Sequence, residues 1–550
     1  MDTKNKQLLI SIRNLKQHFP IRGKIVLKAN DGVSLDIYEG ETVGIVGESG
    51  CGKSTLGRTL LQLYRQTDGE TIYYGRSIED IMPEYALDIF KNLEKRCREN
   101  KADIARAEKL EEEYQALKAD YAAKPDDAKR KPLLAKRVER NEAKKHANTN
   151  FLTIVHLVGG FYVADNYSEV TAVLMKYHAS AIKIRVLNDE IENVQLEVDE
   201  MQYKIDKQLR GASQTKLGNL KTKLARLAGP DMDARKAVRQ GFQDQLDKIR
   251  ERYKGNAEFA RYEEYRDEGI DLARLKYNEM RYLRKDMQLI FQDPYSSLNP
   301  RLTVGQIISE GPITHKYFKG NDDRSQEYAT KVMEDCGLAP YMIHRYPHQF
   351  SGGQRQRIGI ARALSVKPRF VVCDEAVSAL DVSIQSQIIN LLQKLKESHN
   401  LTYMFISHDL SVIKYISDRV AVMYLGHIVE LSPAADLFDN PLHPYTEALL
   451  SAIPTTDVSD DKKEMIILEG DIPSPISPPQ GCKFNTRCRD CMEICKEIQP
   501  DFAEITPGHF VACHKYDEFY KSVTNLVGNE PEVVLQCSDG MGGMGGRSSM

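Results

Sequence analysis

The sequence lacks a long hydrophobic run. No apolar stretch of its 550 residues reaches the roughly 18 to 20 residues that a membrane-spanning helix needs, and residues 1–7 lack the apolar core of a signal peptide. The most apolar segment of a charged insert described below, residues 151–163, is interrupted by His156 and by a pair of glycines, so it predicts a short buried element. The chain is therefore expected to remain in the cytosol.

An excess of charge of either sign is also lacking. Lys and Arg number 76 and Asp and Glu number 79, which gives a formal net charge of -3. Such a balance predicts no general attraction to nucleic acid or to anionic lipid, so no nucleic-acid partner is expected. With 41% hydrophobic residues, the chain is long enough for two or more packed domains.

A phosphate-binding loop is predicted near the N-terminus. Residues 42–46 have the β-branched composition of a buried parallel strand, residues 47–54 match the pattern G-x-x-x-x-G-K-[ST], and a helical spacing follows. In such a loop backbone N–H groups face phosphates, Lys53 reaches the β- and γ-phosphate oxygens, and Ser54 ligates Mg²⁺. The predicted ATP-binding residues are Gly47, Glu48, Ser49, Gly50, Cys51, Gly52, Lys53, Ser54 and Thr55.

Two later strands are predicted to end in polar residues at the same edge of a parallel sheet. Residues 369–373 lead into Asp374 and Glu375, and residues 401–407 lead into His408. We expect Asp374 to hold Mg²⁺ through water, Glu375 to orient the attacking water, and His408 to sense the γ-phosphate. Taken singly, two acids after a strand are more often a helix N-cap, and a lone histidine is usually structural.

Two further segments resemble a known family. Residues 350–357, Phe-Ser-Gly-Gly-Gln-Arg-Gln-Arg, resemble the ABC signature sequence, and residues 290–294, Ile-Phe-Gln-Asp-Pro, resemble the Q-loop. The resemblance implies an α/β ABC-type nucleotide-binding domain, with a RecA-like parallel sheet, an antiparallel β part and a helical signature subdomain. It also implies an ATP site shared by two cassettes, so that a single cassette is inactive alone. The further residues that it assigns to ATP or Mg²⁺ are Ser351, Gly352, Gly353 and Gln354 of the signature, Gln292 of the Q-loop, Asp381 of the D-loop, and Phe19 as the ring that stacks on adenine.

The C-terminal part resembles the ATPases of oligopeptide, dipeptide and nickel importers. Residues 422–430 and 440–454 look like the extension of those proteins, and residues 291–299 resemble the second of their two ATPase subunits. The resemblance implies a heterodimer with a sister ATPase, two transmembrane permeases, an extracytoplasmic substrate-binding protein, and a peripheral location at the cytoplasmic face of the membrane. The implied function is ATP hydrolysis that energises the uptake of short peptides, with dipeptide, longer peptide and nickel all open as cargo.

A soluble ABC ATPase of DNA repair or translation is the main alternative function. A coiled-coil insert within a cassette is customary in that class, but this chain lacks a second cassette and a net basic character. A regulatory or scaffold role for the insert is a third alternative. The presence of both Glu375 and His408 argues against an inactive ATPase.

Half of the ten cysteines lie between Cys482 and Cys513. In a cytosolic protein they are not expected to form a disulfide framework. The resemblance adds that some family members carry an iron–sulfur cluster in this tail, and four thiolates suit either a [4Fe–4S] cluster or tetrahedral zinc. Because the two C-x-x-C pairs of a zinc ribbon are missing, iron–sulfur is favoured, with zinc and reduced thiols as alternatives and Cys491 as an extra thiol. The predicted ligands are Cys482, Cys488, Cys495 and Cys513.

A charged insert interrupts the family pattern. Within it, apolar residues recur at alternating threes and fours, and Pro125, Pro132, Gly211 and the pair Gly229-Pro230 are predicted to break the helices, which favours a helical hairpin or small bundle. The apolar stripes are Leu110, Tyr114, Leu117 and Tyr121; Leu187, Ile191, Val194, Val198, Met201, Ile205 and Leu209; and Leu217, Leu220, Leu224 and Leu227. The predicted division is a first part of the nucleotide-binding domain at 1–84, the helical insert at 85–282, the second part at 283–435, the cysteine-containing extension at 436–525, and a Gly- and Met-rich tail at 526–550.

Overall fold

The computed structural model describes residues 6–23, 25–123, 127–453 and 465–516. Within these residues the chain divides into two compact units. The first contains the described residues of 1–81, 185–232 and 269–516, and the second contains Met82–Ile184 and Asp233–Glu268. The predicted tail at 526–550 and the predicted break at Pro125 lie outside the described residues.

The strands found in the described residues all belong to the first unit, where they form two sheets. An antiparallel sheet has the order β2-β1-β4-β5, and a larger sheet has the order β11-β12-β10-β9-β3-β8-β7-β6. From β9 to β6 the strands of the larger sheet run parallel. The strands are β1 (Leu8–Arg22), β2 (Ile25–Tyr38), β3 (Thr42–Val46), β4 (Asp68–Tyr73), β5 (Ile270–Asp271), β6 (Met287–Ile290), β7 (Phe370–Asp374), β8 (Thr402–Ile406), β9 (Arg419–Tyr424), β10 (His427–Pro433), β11 (Ala503–Thr506) and β12 (His509–Val511).

Helices connect these strands and build the insert. Those that precede β5 are α1 (Lys53–Leu60), α2 (Ile78–Ile81), α3 (Glu84–Lys91), α4 (Leu93–Ala123), α5 (Asp127–Val158), α6 (Tyr167–Asp206), α7 (Gln214–Arg226), α8 (Met232–Arg252) and α9 (Ala257–Glu263). Those that follow it are α10 (Tyr277–Leu283), α11 (Val304–Thr314), α12 (Asp323–Asp335), α13 (Gly352–Leu364), α14 (Val382–His399), α15 (Leu410–Ile416), α16 (Ala434–Asp439), α17 (Pro444–Ser451) and α18 (Glu493–Glu497). None of the helices in the described ranges combines the length and apolar character that a bilayer span requires.

The core of the first unit begins at the parallel strands. Every residue of β3, β7 and β8 is buried, as expected for strands covered on both faces. The same apolar cluster continues through α11 to α14 and reaches Tyr445 and Phe484 of the C-terminal extension. The extension is therefore packed as part of this unit.

The second half of α6 and α7 form a hairpin within the first unit. Val198, Met201 and Leu217 are buried between the two helices, which confirms most of the apolar stripes predicted there. Leu209 is the exception, because it lies beyond the end of α6 and is 39% exposed. Gly211 lies in the turn with a φ of 80°. Ion pairs join this hairpin to the region of α12. They are Asp199 with Arg324 at 3.3 Å, Glu200 with Lys319 at 2.8 Å and Lys207 with Glu327 at 2.8 Å.

The second unit is helical and has its own core. In the antiparallel hairpin of α4 and α5, Arg140 pairs with Glu111 at 3.2 Å. The ring of Phe151 packs edge-on against Tyr162 and Tyr262, at centroid distances of 5.1 and 5.2 Å. This confirms the prediction that residues 151–163 form a buried element, which is the end of α5 followed by a 3₁₀ turn.

Two predicted helix breaks are wrong. Pro132 lies inside α5, near the helix start, where its missing N–H removes one backbone hydrogen bond without ending the helix. Gly229 and Pro230 lie in a π-helical segment, Leu227–Asp231, that joins α7 directly to α8. The wider π turn accommodates the proline ring, so the helix continues. The five-part division of the chain stays a prediction.

Candidate active site

Residues 47–52 form the turn between β3 and α1, at the carboxyl end of a central parallel strand. Gly47 and Gly52 have φ angles of 149° and 102°. A Cβ atom on Gly47 would lie 2.2 Å from the carbonyl oxygen of Met423, and one on Gly52 would lie 2.2 Å from that of Ala29. Both positions therefore require glycine for space as well as for backbone conformation.

Lys53 begins α1 and turns back over this loop. Its side chain is buried, and Nζ donates to the carbonyl oxygens of Gly47 at 2.7 Å and Glu48 at 3.0 Å. The ammonium group thus lies inside the loop at the N-terminus of a helix, where the backbone N–H groups add positive potential. The arrangement suits an anion with several oxygens, such as a polyphosphate.

Ser54 and Asp374 meet beside the loop. Asp374 ends β7 and is 1% exposed, and the Ser54 hydroxyl donates to its Oδ1 at 2.5 Å. Arg58, one helical turn after Ser54, donates to Oδ2 at 3.2 Å. A hydroxyl and a carboxylate oxygen are ligands that Mg²⁺ prefers, so both residues are placed to hold one. Sequence reasoning missed Arg58, although its i, i+4 spacing from Ser54 was a usable signal.

Side chains from the ends of three parallel strands meet at Glu375. Its Oε2 accepts a hydrogen bond from Gln292 Nε2 at 2.7 Å, and His408 Nδ1 lies 3.7 Å from the same oxygen. Gln292 follows β6 and His408 follows β8, so the predicted meeting of strand ends occurs. A carboxylate held by an amide donor, with an imidazole nearby, can orient a water and accept its proton.

The signature segment forms a capped helix start. Ser351 is the N-cap of α13: its Oγ accepts from the N–H of Gln354 at 3.4 Å, and the Gln354 Oε1 accepts from the N–H of Ser351 at 3.1 Å. Gly353 is pressed against α14, since a Cβ there would lie 2.5 Å from Ile384 Cγ2. Ser351 itself is exposed, with Gly352 following it in the first turn of α13.

The remaining two predicted site residues lie in other elements. Asp381 is the exposed N-cap position of α14 and makes no side-chain cap hydrogen bond. Phe19 is in β1, where its ring packs edge-on against Tyr64 at 5.3 Å. Stacking of Phe19 on adenine stays a prediction.

Comparisons with known proteins agree with this geometry. A family model described as ABC transporter matches residues 30–160 and 258–378, and one described as oligopeptide/dipeptide transporter, C-terminal region, matches residues 429–495. The oligopeptide transport ATP-binding protein AppF of Bacillus subtilis is 53% identical over 250 residues, which cover 45% of this chain and 75% of that protein. The chain belongs to the family of oligopeptide-type ABC transporter ATP-binding proteins.

A second curated relative gives the same family. A putative peptide import ATP-binding protein of Brucella ovis is 53% identical over 246 residues, which cover 45% of this chain and 77% of that protein. A solved dimeric ATP-binding cassette in a post-hydrolysis state with ADP and Pi aligns with 16% identity and a TM-score of 0.39, over 78% of this chain and 99% of that chain. The sequence matches confirm the predicted family, its α/β cassette fold and its class as an ABC-type ATPase.

The oligopeptide-type extension supplies contacts to the phosphate loop that sequence reasoning missed. Arg487 makes two hydrogen bonds to the Glu48 carboxylate, and the Tyr445 hydroxyl accepts the Glu48 backbone N–H. Both residues lie in segments that resemble the family's extension. They are separated from Glu48 by 439 and 397 residues in sequence, respectively. Spacing alone gives no signal for such a contact.

Described cysteines of this ABC protein lie both near the phosphate loop and in the C-terminal extension. Cys373 is fully buried in β7, and burial also raises the pKa of the Cys51 thiol. In the extension, burial raises the pKa of Cys482 and Cys488 to about 11 and that of Cys513 to about 12, with neighbouring cysteines contributing in the same direction. Within residues 6–516, apart from the gaps in the described ranges, no three His, Cys, Asp or Glu side chains converge as a metal site would require.

Proposed function

We propose that this chain binds MgATP at residues 47–55 and hydrolyses it to energise the uptake of short peptides, as a peripheral subunit at the cytoplasmic face of the membrane. The observation that carries the proposal is the convergence of Gln292, Glu375 and His408 beside a phosphate loop and the Ser54–Asp374 pair. The names of the relatives, which are oligopeptide and peptide import ATP-binding proteins, supply the cargo class.

The proposed roles follow from the contacts at the strand ends. Ser54, Asp374 and Gln292 would hold Mg²⁺, which supplies charge neutralisation for the β- and γ-phosphates. Lys53 binds phosphate oxygens in the loop. Glu375 orients the attacking water and accepts its proton, and Gln292 fixes the Glu375 carboxylate through Oε2. His408 is placed to contact the γ-phosphate from the next strand.

A second cassette completes the proposed site. The exposed N-cap Ser351 and the exposed Asp381 lie at helix starts where a neighbouring subunit could present its ATP. We assign the signature residues Ser351, Gly352, Gly353 and Gln354 to ATP bound by a sister ATPase. A heterodimer is the proposed assembly.

A membrane permease is the proposed partner of the exposed aromatic residues Phe291, Tyr295 and Tyr346 in and beside the Q-loop. Tyr295 is 66% exposed, and the centroid of its ring lies 3.7 Å from Arg355 Cζ. Arg355 Nε donates to the carbonyl oxygen of Pro347 at 2.7 Å. Tyr346 comes directly before Pro347, so the buried Arg355 links Tyr295 to the segment that carries Tyr346. Large exposed aromatics beside Gln292 suit a protein interface that reports on the active site.

The proposed complex also contains two permeases and an extracytoplasmic binding protein. A [4Fe–4S] cluster on Cys482, Cys488, Cys495 and Cys513 is the finer cofactor hypothesis. Besides burial, neighbouring cysteines of this set raise the pKa of Cys482 and of Cys513, which supports the proximity of these thiols, although their arrangement does not form a metal site. Iron, sulfide and zinc analysis of protein purified without oxygen distinguishes the cluster from zinc and from plain thiols.

The function is tested by complementation. Cells that lack this protein receive the parent chain, Lys53→Ala or the matched control Lys394→Ala, an exposed lysine of α14. We expect uptake of labelled di- to pentapeptides from the parent and the control and none from Lys53→Ala. Mass spectrometry of the co-purified complex should identify two permeases and a sister ATPase. Normal uptake by Lys53→Ala, or recovery of nucleic acid or ribosomes in place of permeases, would refute the proposal.

A further inference from the structure

Glu48 places a carboxylate within the phosphate loop itself. Its backbone carbonyl accepts the Lys53 Nζ at 3.0 Å, so it lies beside the group that is proposed to bind phosphate. A negative charge in this position repels a polyphosphate unless a cation compensates it. A cation held beside the Glu48 carboxylate would therefore favour phosphate binding in this loop.

Arg487 of the C-terminal extension is that cation. Nη1 and Nη2 donate to the two carboxylate oxygens of Glu48 at 2.8 and 3.1 Å, which is the bidentate geometry of strong guanidinium–carboxylate pairs. The Arg487 side chain is 7% exposed and that of Glu48 is 22% exposed, so water screens the pair only in part. The hydrogen bonds to Glu48 also raise the pKa of Arg487.

A second group of the extension holds the Glu48 backbone. The Tyr445 hydroxyl accepts the N–H of Glu48 at 2.9 Å. Tyr445 is fully buried, and its ring packs against Tyr424 and Phe484 at 4.8 and 5.3 Å. The hydroxyl is therefore fixed by the apolar core and not by the loop that it contacts.

We propose that Arg487 is a positioning residue for ATP binding: it compensates the Glu48 charge and, with Tyr445, holds the phosphate loop in its binding conformation. This inference rests on the proposed ATP site. The C-terminal extension then contributes to ATP binding through Arg487 and Tyr445. Lys53 supplies the cation that touches phosphate, whereas Arg487 acts through Glu48.

The test measures the Kd of a fluorescent ATP analogue with Mg²⁺ on the full chain. Removing the compensating cation in Arg487→Met should raise Kd about tenfold, and Arg487→Lys, which keeps the charge but loses the bidentate fork, should raise it about threefold. Adding Glu48→Gln to Arg487→Met removes the uncompensated carboxylate, so Kd should return to within about twofold of Glu48→Gln alone. Arg489→Met is the matched control, because Arg489 is about half exposed, pairs with Glu447 and should leave Kd unchanged.

A merely structural role would give a different pattern. Loss of folding lowers the melting temperature and the active fraction without changing the Kd of the remaining protein, and Glu48→Gln would not rescue it. If Arg487→Met does not fold, the Kd values of Arg487→Lys and of the double variant still test the proposal. Unchanged Kd in the Arg487 variants, or no rescue by Glu48→Gln, overturns the inference. Failure of the parent chain to bind the analogue would instead refute the proposed ATP site.

Discussion

Gln292 and Glu375 are joined by a hydrogen bond of 2.7 Å from Nε2 to Oε2 across 83 residues of sequence. Glu375 has a left-handed backbone, with a φ of 48°, and its N–H donates to the carbonyl oxygen of Ile406 at 3.0 Å. This conformation costs a residue other than glycine about 1 to 2 kcal/mol, so the surrounding contacts must hold it. The fold, through β7 and β8, therefore aims the carboxylate toward the Q-loop.

Releasing this contact should slow hydrolysis. In Gln292→Ala the Glu375 carboxylate loses its donor, and we expect kcat for ATP to fall about 10- to 100-fold in the partnered complex, because one group that positions the base is lost. Steady-state ATPase assays measure the effect. Gln240→Ala, at an exposed position of α8, is the control and should keep the parent rate. A kcat within twofold of the parent in Gln292→Ala contradicts this role.

Two glycines of the phosphate loop should respond differently to the same added methyl group. Gly47→Ala brings Cβ against a backbone carbonyl, whereas a Cβ on Gly50 meets nothing within 4 Å, although both residues have positive φ. We expect Gly47→Ala to weaken ATP-analogue binding by about 100-fold or more. Gly50→Ala adds only backbone strain of about 1 kcal/mol, which predicts a loss of less than tenfold. Equal losses from both substitutions would exclude the steric explanation.

Stability should fall in mild acid through His443. Its Nδ1 caps α17 by accepting the N–H of Tyr445 at 3.1 Å, which requires a neutral ring, and burial lowers its pKa from 6.5 to about 4. Between these two pKa values the unfolded chain binds a proton that the folded chain does not. The contribution of His443 to stability is therefore complete above pH 6.5 and declines below it, by about 1.4 kcal/mol per pH unit.

His443→Asn provides the comparison, since its Oδ1 can cap the helix without titrating. Between pH 7 and pH 5 we expect the free energy of unfolding to fall less in the variant than in the parent, as measured by urea unfolding. His427, with its pKa also lowered to about 4, and Asp271, with its pKa raised to about 7, are shared by both proteins and cancel in the comparison. Identical pH slopes would show that His443 does not titrate in this way.

The second unit should unfold through its own core. Phe151 is buried against Tyr162 and Tyr262, so Phe151→Ala should cost about 3 to 5 kcal/mol. Hydrogen exchange should then increase within Met82–Ile184 and Asp233–Glu268, while the affinity for the ATP analogue stays the same. Val238→Ala, at an exposed position of α8, should change neither. Faster exchange spread evenly over both units would contradict an independent core.

Short-range patterns predicted much of the site. The order of strand, glycine loop and helix around Lys53 and the polar ends of β7 and β8 can be recognised locally, because parallel strands bring their carboxyl ends to one edge. The insert hairpin also followed from apolar spacing, as the burial of Val198 and Leu217 shows.

The errors and omissions have a different physical origin. Pro132 and Pro230 were predicted to end helices, but Pro132 lies near the start of α5 and Pro230 lies in a π turn, so the helices continue through both. Arg487 and Tyr445 reach Glu48 from the far end of the chain, and no periodicity encodes such a contact. Their positions depend on how the extension packs onto the apolar core.

The measurement that tests the central claim most directly is ATP hydrolysis by the partnered complex with the parent chain and with Glu375→Gln. We predict that the substitution lowers the rate about 100-fold or more while the complex still binds ATP, because the amide keeps the shape of the side chain but cannot accept the proton of the attacking water. Glu397→Gln, at an exposed position of α14, serves as the control. A Glu375→Gln complex that hydrolyses ATP at the parent rate would contradict the account.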